Sequence, residues 1–157
     1  MKNIIKHLIE KKQTISVMES CTGGVVANSI TDIEGASSVF HFGAVTYSNA
    51  YKIKLGVDPD LIERYSVYSP EVAKEMSEKI SVYADSDLGV GVTGKLGCAD
   101  DQNPFGENDS VYICIYSRSA GTYLEKMVKV TKNSRKENKQ LVLDEIKRLL
   151  QKILETN

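Results

Sequence analysis

A short apolar run at residues 14–18 ends in Glu19-Ser20-Cys21-Thr22-Gly23-Gly24, and a helix-like segment, Val25–Thr31, follows at once. A strand, a small polar and glycine turn, then a helix is how a chain gathers hydroxyls and backbone N–H groups at one spot. The turn therefore suggests a site for an anionic or carbonyl-bearing small molecule. It offers two nucleophile candidates of its own, Ser20 and Cys21.

The remaining segments alternate in a way that fixes the fold class. Ile4, Ile5, Leu8 and Ile9 recur at helical spacing and predict an amphipathic N-terminal helix. Residues 43–48 (Gly-Ala-Val-Thr-Tyr-Ser) read as a buried strand, with Asn49 placed to cap the helix that follows. Asp58-Pro59 and Ser69-Pro70 each pair a capping residue with proline at the first helical position. The second opens a helix over residues 70–84, with Val72, Met76, Ile80, Val82 and Tyr83 near its inner face. Residues 88–93 (Leu-Gly-Val-Gly-Val-Thr) read as a strand approached closely by a neighbour. Residues 111–116 and 122–130 read as a hairpin, and Ser134 with Glu137 has the spacing of a capping box. The last helix carries Leu141, Ile146, Leu149, Leu150 and Ile153 toward the sheet. Strands separated first by helices and then by a hairpin predict a three-layer α/β/α sandwich. Its sheet is mixed, mostly parallel, and of about five strands.

Composition narrows the function classes. The 157 residues fit one domain over 1–157, and the net charge of −1 lacks the basic footprint of a nucleic-acid binder. No segment reaches the roughly 20 apolar residues of a membrane span, and residues 1–9 lack the pattern of a signal peptide. Cys21, Cys98 and Cys114 are odd in number and unpaired in spacing. That argues against a disulfide framework or a structural zinc site, and for a reducing, cytoplasmic setting.

The ionisable residues narrow the chemistry further. His7 lies in the first helical pattern and His41 in a Phe-His-Phe turn, so a Ser-His-Asp triad is poorly supported. Metal ligation is equally thin. A serine without histidine needs another base, and a desolvated, neutral lysine is the known substitute. Lys52, just past an apolar strand, meets that requirement better than Lys54. Ser20, Ser37 and Ser38 compete for the nucleophile, and Cys21 is a rival because a helix N-terminus can lower a thiol pKa. Tyr47 is placed to orient lysine or substrate.

Six segments in order resemble one family. They are Glu19-Ser20-Cys21-Thr22-Gly23-Gly24; Gly35-Ala36-Ser37-Ser38-Val39-Phe40; Val45-Thr46-Tyr47-Ser48-Asn49-Ala50-Tyr51-Lys52; Leu55-Gly56-Val57; Ser69-Pro70-Glu71-Val72-Ala73; and Thr93-Gly94. Together they are similar to the C-terminal domain of the competence-damage-inducible protein CinA, a domain also found alone as nicotinamide-nucleotide amidase. The resemblance runs from Glu19 to about Val130 and more weakly through the final helix. It implies hydrolysis of the carboxamide of nicotinamide mononucleotide to nicotinate mononucleotide and ammonia, with no metal or organic cofactor. By position it makes Ser37 the nucleophile, Lys52 the general base, and Ser20 and Tyr47 their helpers. Thr22, Gly23, Gly24, Thr46, Asn49, Thr93, Gly94 and Arg135 are then expected to bind a small nucleotide substrate. A homo-oligomer is the expected assembly, without nucleic acid or membrane as partner.

The chain also departs from the family pattern. Thr93-Gly94 is usually followed by Ile-Ala-Gly-Pro and a glycine-rich stretch, whereas Lys95-Leu96-Gly97-Cys98 and a polar run to Ser110 stand here. The chain is one residue shorter between Lys52 and Gly56. A usual Gly-Asp-Arg with a later arginine becomes Asn133-Ser134-Arg135 with Lys139. These differences leave two alternatives beside the deamidase: a non-catalytic CinA-like paralogue binding a nucleotide or a protein, or an amidase for another small amide.

Overall fold

Five strands form one open sheet: β1 (Ile15–Glu19), β2 (Gly43–Val45), β3 (Leu88–Gly94), β4 (Ser110–Ser117) and β5 (Thr122–Lys129), in the order β2-β1-β3-β4-β5. The computed structural model describes residues 1–156; Asn157, the last residue of the expected domain, lies outside them. β1 pairs in parallel with both β2 and β3, whereas β4 pairs antiparallel with β3 and with β5. Only β4 therefore runs against the rest, as the mixed, mostly parallel expectation requires.

Both faces of the sheet are covered, which is why β1 and β3 are buried at every position. Helices α1 (Lys2–Lys11), α2 (Val25–Thr31) and α6 (Arg135–Thr156) cover one face. Ile4, Leu8, Val17, Val90, Ile146 and Leu150 interlock there in the larger apolar cluster. Between β2 and β3 the chain forms α3 (Asn49–Lys54), α4 (Pro59–Tyr65) and α5 (Pro70–Ala84). The α5 helix covers the opposite face, where Met18, Val57, Val67, Val72, Met76 and Ile80 form the second cluster.

The two layers meet the sheet differently. A Cβ built on Gly89 would stand 1.9 Å from the Ser77 carbonyl, and one on Gly91 2.1 Å from that of Ala73. The glycines of β3 thus let α5 lie directly on the strand, as the alternating Gly-Val pattern anticipates. Ser77 and Ser81 are the matching small residues on the helix, both fully buried.

Local details differ from expectation in four places. The second strand is only Gly43–Val45, and as the sheet edge it exposes both end residues rather than being buried. Ser48, not Asn49, caps α3, its hydroxyl accepting the Tyr51 N–H; the polar group one residue earlier has the extended backbone that a cap needs. Val82 and Tyr83 face solvent, because the inner stripe of α5 ends at Ile80 and Ser81. Ile9 is likewise exposed. The Asp58 and Ser69 caps form as expected, accepting from Asp60 and Val72 N–H. Ser134 holds Glu137 through side-chain and backbone bonds at the start of α6.

Connection geometry decides where a ligand can sit. The β1–β2 crossover passes over one face through α2, and the β2–β3 crossover passes over the other through α5. The connections leaving the neighbouring strands β1 and β2 therefore diverge to opposite sides of the sheet. In open α/β sheets the crevice outside the carboxyl ends of the strands, at such a switch point, is the ligand site.

Candidate active site

A cavity of about 1060 Å³ occupies that crevice. Ser20 and Cys21 enter it from the end of β1, Val45 and Tyr47 to Tyr51 from the end of β2, and Gly94 to Leu96 with Cys98 to Asn103 from the end of β3. Tyr68 and Arg135 complete the wall.

Lys52 is the chemical centre. The residue is only 1 % exposed, the largest fully buried side chain among the described residues. Its Nζ donates to Ser20 Oγ at 3.1 Å and to the Thr46 carbonyl at 2.7 Å. No carboxylate forms an ion pair with it among the described residues. Burial without a counter-ion lowers the Lys52 pKa to about 8. About one lysine in ten is then neutral at pH 7. A neutral amine tied through one N–H to Thr46 has its lone pair available to the Ser20 hydroxyl.

The turn that presents Ser20 is braced from within. Glu19 is fully buried and accepts from Thr22 Oγ1 at 2.6 Å, Ala27 N at 3.0 Å and Val26 N at 3.2 Å. The Val26 and Ala27 N–H groups in the first turn of α2 are therefore satisfied by the chain's own carboxylate rather than left open for an anion. Gly23 and Gly24 follow at φ 61° and 98°, backbone that side chains rarely adopt. Glu19 was the residue of this motif to which sequence reasoning attached no role, although a carboxylate before a helix start is itself a capping signal.

Ser37 lies elsewhere. It is exposed on a 3-10 turn, Ala36–Ser38, in the connection from α2 to β2. The turn is tied to the amino end of β1, where the Ile15 N–H donates to the Val39 carbonyl at 2.8 Å. Ser20 follows the other end of that strand, about 16 Å away at the usual rise per residue. In a parallel βαβ unit the helix-to-strand connections lie at the end opposite the strand-to-helix ones. Ser37 and Lys52 are consequently at opposite ends of the sheet, and the hydroxyl that stands beside Lys52 is that of Ser20. Burial pushes the Cys21 thiol up to about 12, which removes the low-pKa rival.

The expected substrate-binding residues divide. Asn49, Gly94 and Arg135 line the cavity, as does Tyr47, whose hydroxyl accepts from Arg135 Nη2 at 3.4 Å and which is 66 % exposed. Thr22, Thr46 and Thr93 are buried behind the wall. Thr22 bonds Glu19, Thr93 bonds the Val67 carbonyl at 2.9 Å, and Thr46 offers its carbonyl to Lys52. Gly23 and Gly24 do not line the cavity; a Cβ on Gly23 would meet Lys139 Nζ at 3.0 Å. Tyr68, Asp100 and Asn103 are lining residues that sequence reasoning did not single out. The aperiodic stretch after Gly94 was the signal for the last two. Tyr68 had none.

A family model described as the CinA C-terminal domain matches residues 1–154. The chain belongs to the CinA C-terminal domain family. A competence-damage inducible protein of Caldanaerobacter subterraneus is 42% identical over 132 residues, 82% of this chain and 31% of that protein. One from Alkaliphilus oremlandii is 52% identical over 95 residues, 60% of this chain and 23% of its own length. This CinA C-terminal domain thus corresponds to less than a third of those relatives. Among solved structures, a CinA superfamily protein from Klebsiella pneumoniae has a TM-score of 0.89 at 21% identity, covering 99% of this chain and 96% of that one; at that identity the likeness speaks for the fold. The competence/damage inducible protein CihA from Agrobacterium tumefaciens has a TM-score of 0.82 at 26% identity, covering 98% and 90%. In this CinA domain, residues between Gly94 and Asn103 supply much of the cavity lining.

Proposed function

We propose that this CinA domain is a serine–lysine amidase that hydrolyses the carboxamide of nicotinamide mononucleotide. The observation that carries the reading is the 3.1 Å contact between buried, unpaired Lys52 and Ser20 at the edge of a substrate-sized cavity. Neutral Lys52 takes the Ser20 proton as Oγ attacks the amide carbon. The carbon–nitrogen bond then breaks, and Lys52 returns the proton to the leaving nitrogen, which departs as ammonia. Water attacks the resulting ester, its proton passing through Lys52 to Ser20, and nicotinate mononucleotide is released. Tyr47 bridges the cavity mouth to Arg135, whose guanidinium suits the substrate phosphate.

Ammonia release from nicotinamide mononucleotide tests this reading. Ser20→Ala is expected to lower kcat at least about 1,000-fold, the scale of losing a covalent nucleophile. Ser37→Ala is expected to stay within twofold of wild type. Undiminished release by Ser20→Ala would overturn the assignment, and no release by folded wild type would overturn the amidase itself.

A further inference from the structure

The cavity carries a fixed negative charge that the proposed hydrolysis does not use. Asp100 Oδ2 accepts from the Tyr68 hydroxyl at 2.5 Å and from Asn103 Nδ2 at 2.9 Å. Its Oδ1 accepts from the Gln102 N–H at 3.0 Å, leaving that oxygen further acceptor capacity. Asn103 is itself tied to the α3 helix, its Oδ1 accepting from Asn49 at 2.9 Å. The carboxylate is thus gripped from two sides of the cavity, by the 95–109 loop and by the segment before α5.

All of these donors are neutral. No lysine or arginine forms an ion pair with Asp100 among the described residues. Nearby Lys95 is occupied elsewhere, donating to the Pro104 carbonyl and Asn108, with its amine 5.2 Å from the Tyr68 ring centroid. Hydrogen bonds from Tyr68 and then Asn103 hold the Asp100 carboxyl below its ordinary value, so it is charged at neutral pH. A carboxylate held in place by neutral donors on a cavity wall attracts a cation in the ligand. Tyr47 and Tyr68, lining the same cavity, add aromatic surface suited to a charged ring.

We propose that Asp100 is a specificity-determining residue that selects carboxamides on a positively charged ring, an N-ribosylated pyridinium, over those on a neutral ring. The inference rests on the amidase reading and names what its site distinguishes. Arg135 and Asp100 then divide the substrate between them, one meeting the phosphate and the other the ring. At a separation of about 7 Å in a partly solvated cavity, such an attraction changes affinity about fivefold to tenfold.

The test compares nicotinamide mononucleotide with its dihydro form, which keeps the ribose phosphate and carboxamide but has a neutral ring. Calorimetric titration in the Ser20→Ala protein keeps the amide intact. The cationic form is expected to bind several-fold tighter. Asp100→Asn should weaken it about fivefold to tenfold and the dihydro form less than twofold, while Asp100→Glu retains the preference. If Asp100→Asn weakens both forms equally, or neither, Asp100 only shapes the loop and the inference fails while the amidase reading stands. Absence of binding by either form, together with no ammonia release by wild type, removes the amidase reading and this inference with it.

Discussion

In the proposed amidase, Lys52 sets the working pH of the site. Its amine must be neutral to take the Ser20 proton, and burial lowers its pKa to about 8. Between pH 7 and pH 9, kcat/KM should therefore rise roughly tenfold and then level; a flat profile across that range would count against a lysine base. The same shift has a stability consequence of definite sign. Below pH 8 both folded and unfolded chains carry the proton, and the fold bears the full cost of a buried ammonium. Between pH 8 and the unfolded value near 10.5 the unfolded chain binds the extra proton, so stability contributed by this group rises with pH. Lys52→Met removes the effect, so its stability relative to wild type should fall as pH rises through that window; equal pH dependence of the two proteins, read by urea unfolding, would contradict the buried charge. Lys52 was legible because it follows an apolar strand. The choice between Ser20 and Ser37 was not. Both are hydroxyls in small-residue turns, and only strand direction reveals which turn shares an end of the sheet with Lys52.

At the scale of elements, the Gly-Val alternation of β3 was informative because each glycine removes a side chain that would strike α5. Adding one methyl at Gly91 places it 2.1 Å from the Ala73 carbonyl, a backbone atom that cannot rotate away. Gly91→Ala is expected to cost at least about 2 kcal/mol in urea unfolding, and a change under 0.5 kcal/mol would show that α5 does not rest on the strand. Capped helices were equally readable from Asp58-Pro59 and Ser69-Pro70, since those signals lie within a few residues of each other. The edge position of β2 and the solvent side of Val82 and Tyr83 depend on neighbours distant in sequence, and no local pattern records them. The α2 start misled for a related reason. Its N–H groups are aimed at one point, but Glu19 already fills that point.

Across the whole molecule, the site follows from one topological fact: the connections leaving the neighbouring strands β1 and β2 pass over opposite faces of the sheet, opening a crevice at their carboxyl ends. Five separate segments converge there, from the ends of β1, β2 and β3, from the residues before α5 and from the start of α6. The layers were legible from the order of strand and helix patterns. The convergence was legible only in part, since Tyr68 and Asp100 are 32 positions apart and meet through packing alone. The central claim is that Ser20, at this end of the sheet, is the residue that becomes acylated. Acid-quenched protein incubated with nicotinamide mononucleotide can be cleaved after glutamate, which separates residues 20–34 from residues 35–63. Mass spectrometry should then find the nicotinate mononucleotide acyl adduct on the fragment carrying Ser20, and lose it in Ser20→Ala. An adduct on the fragment carrying Ser37 instead would contradict the account.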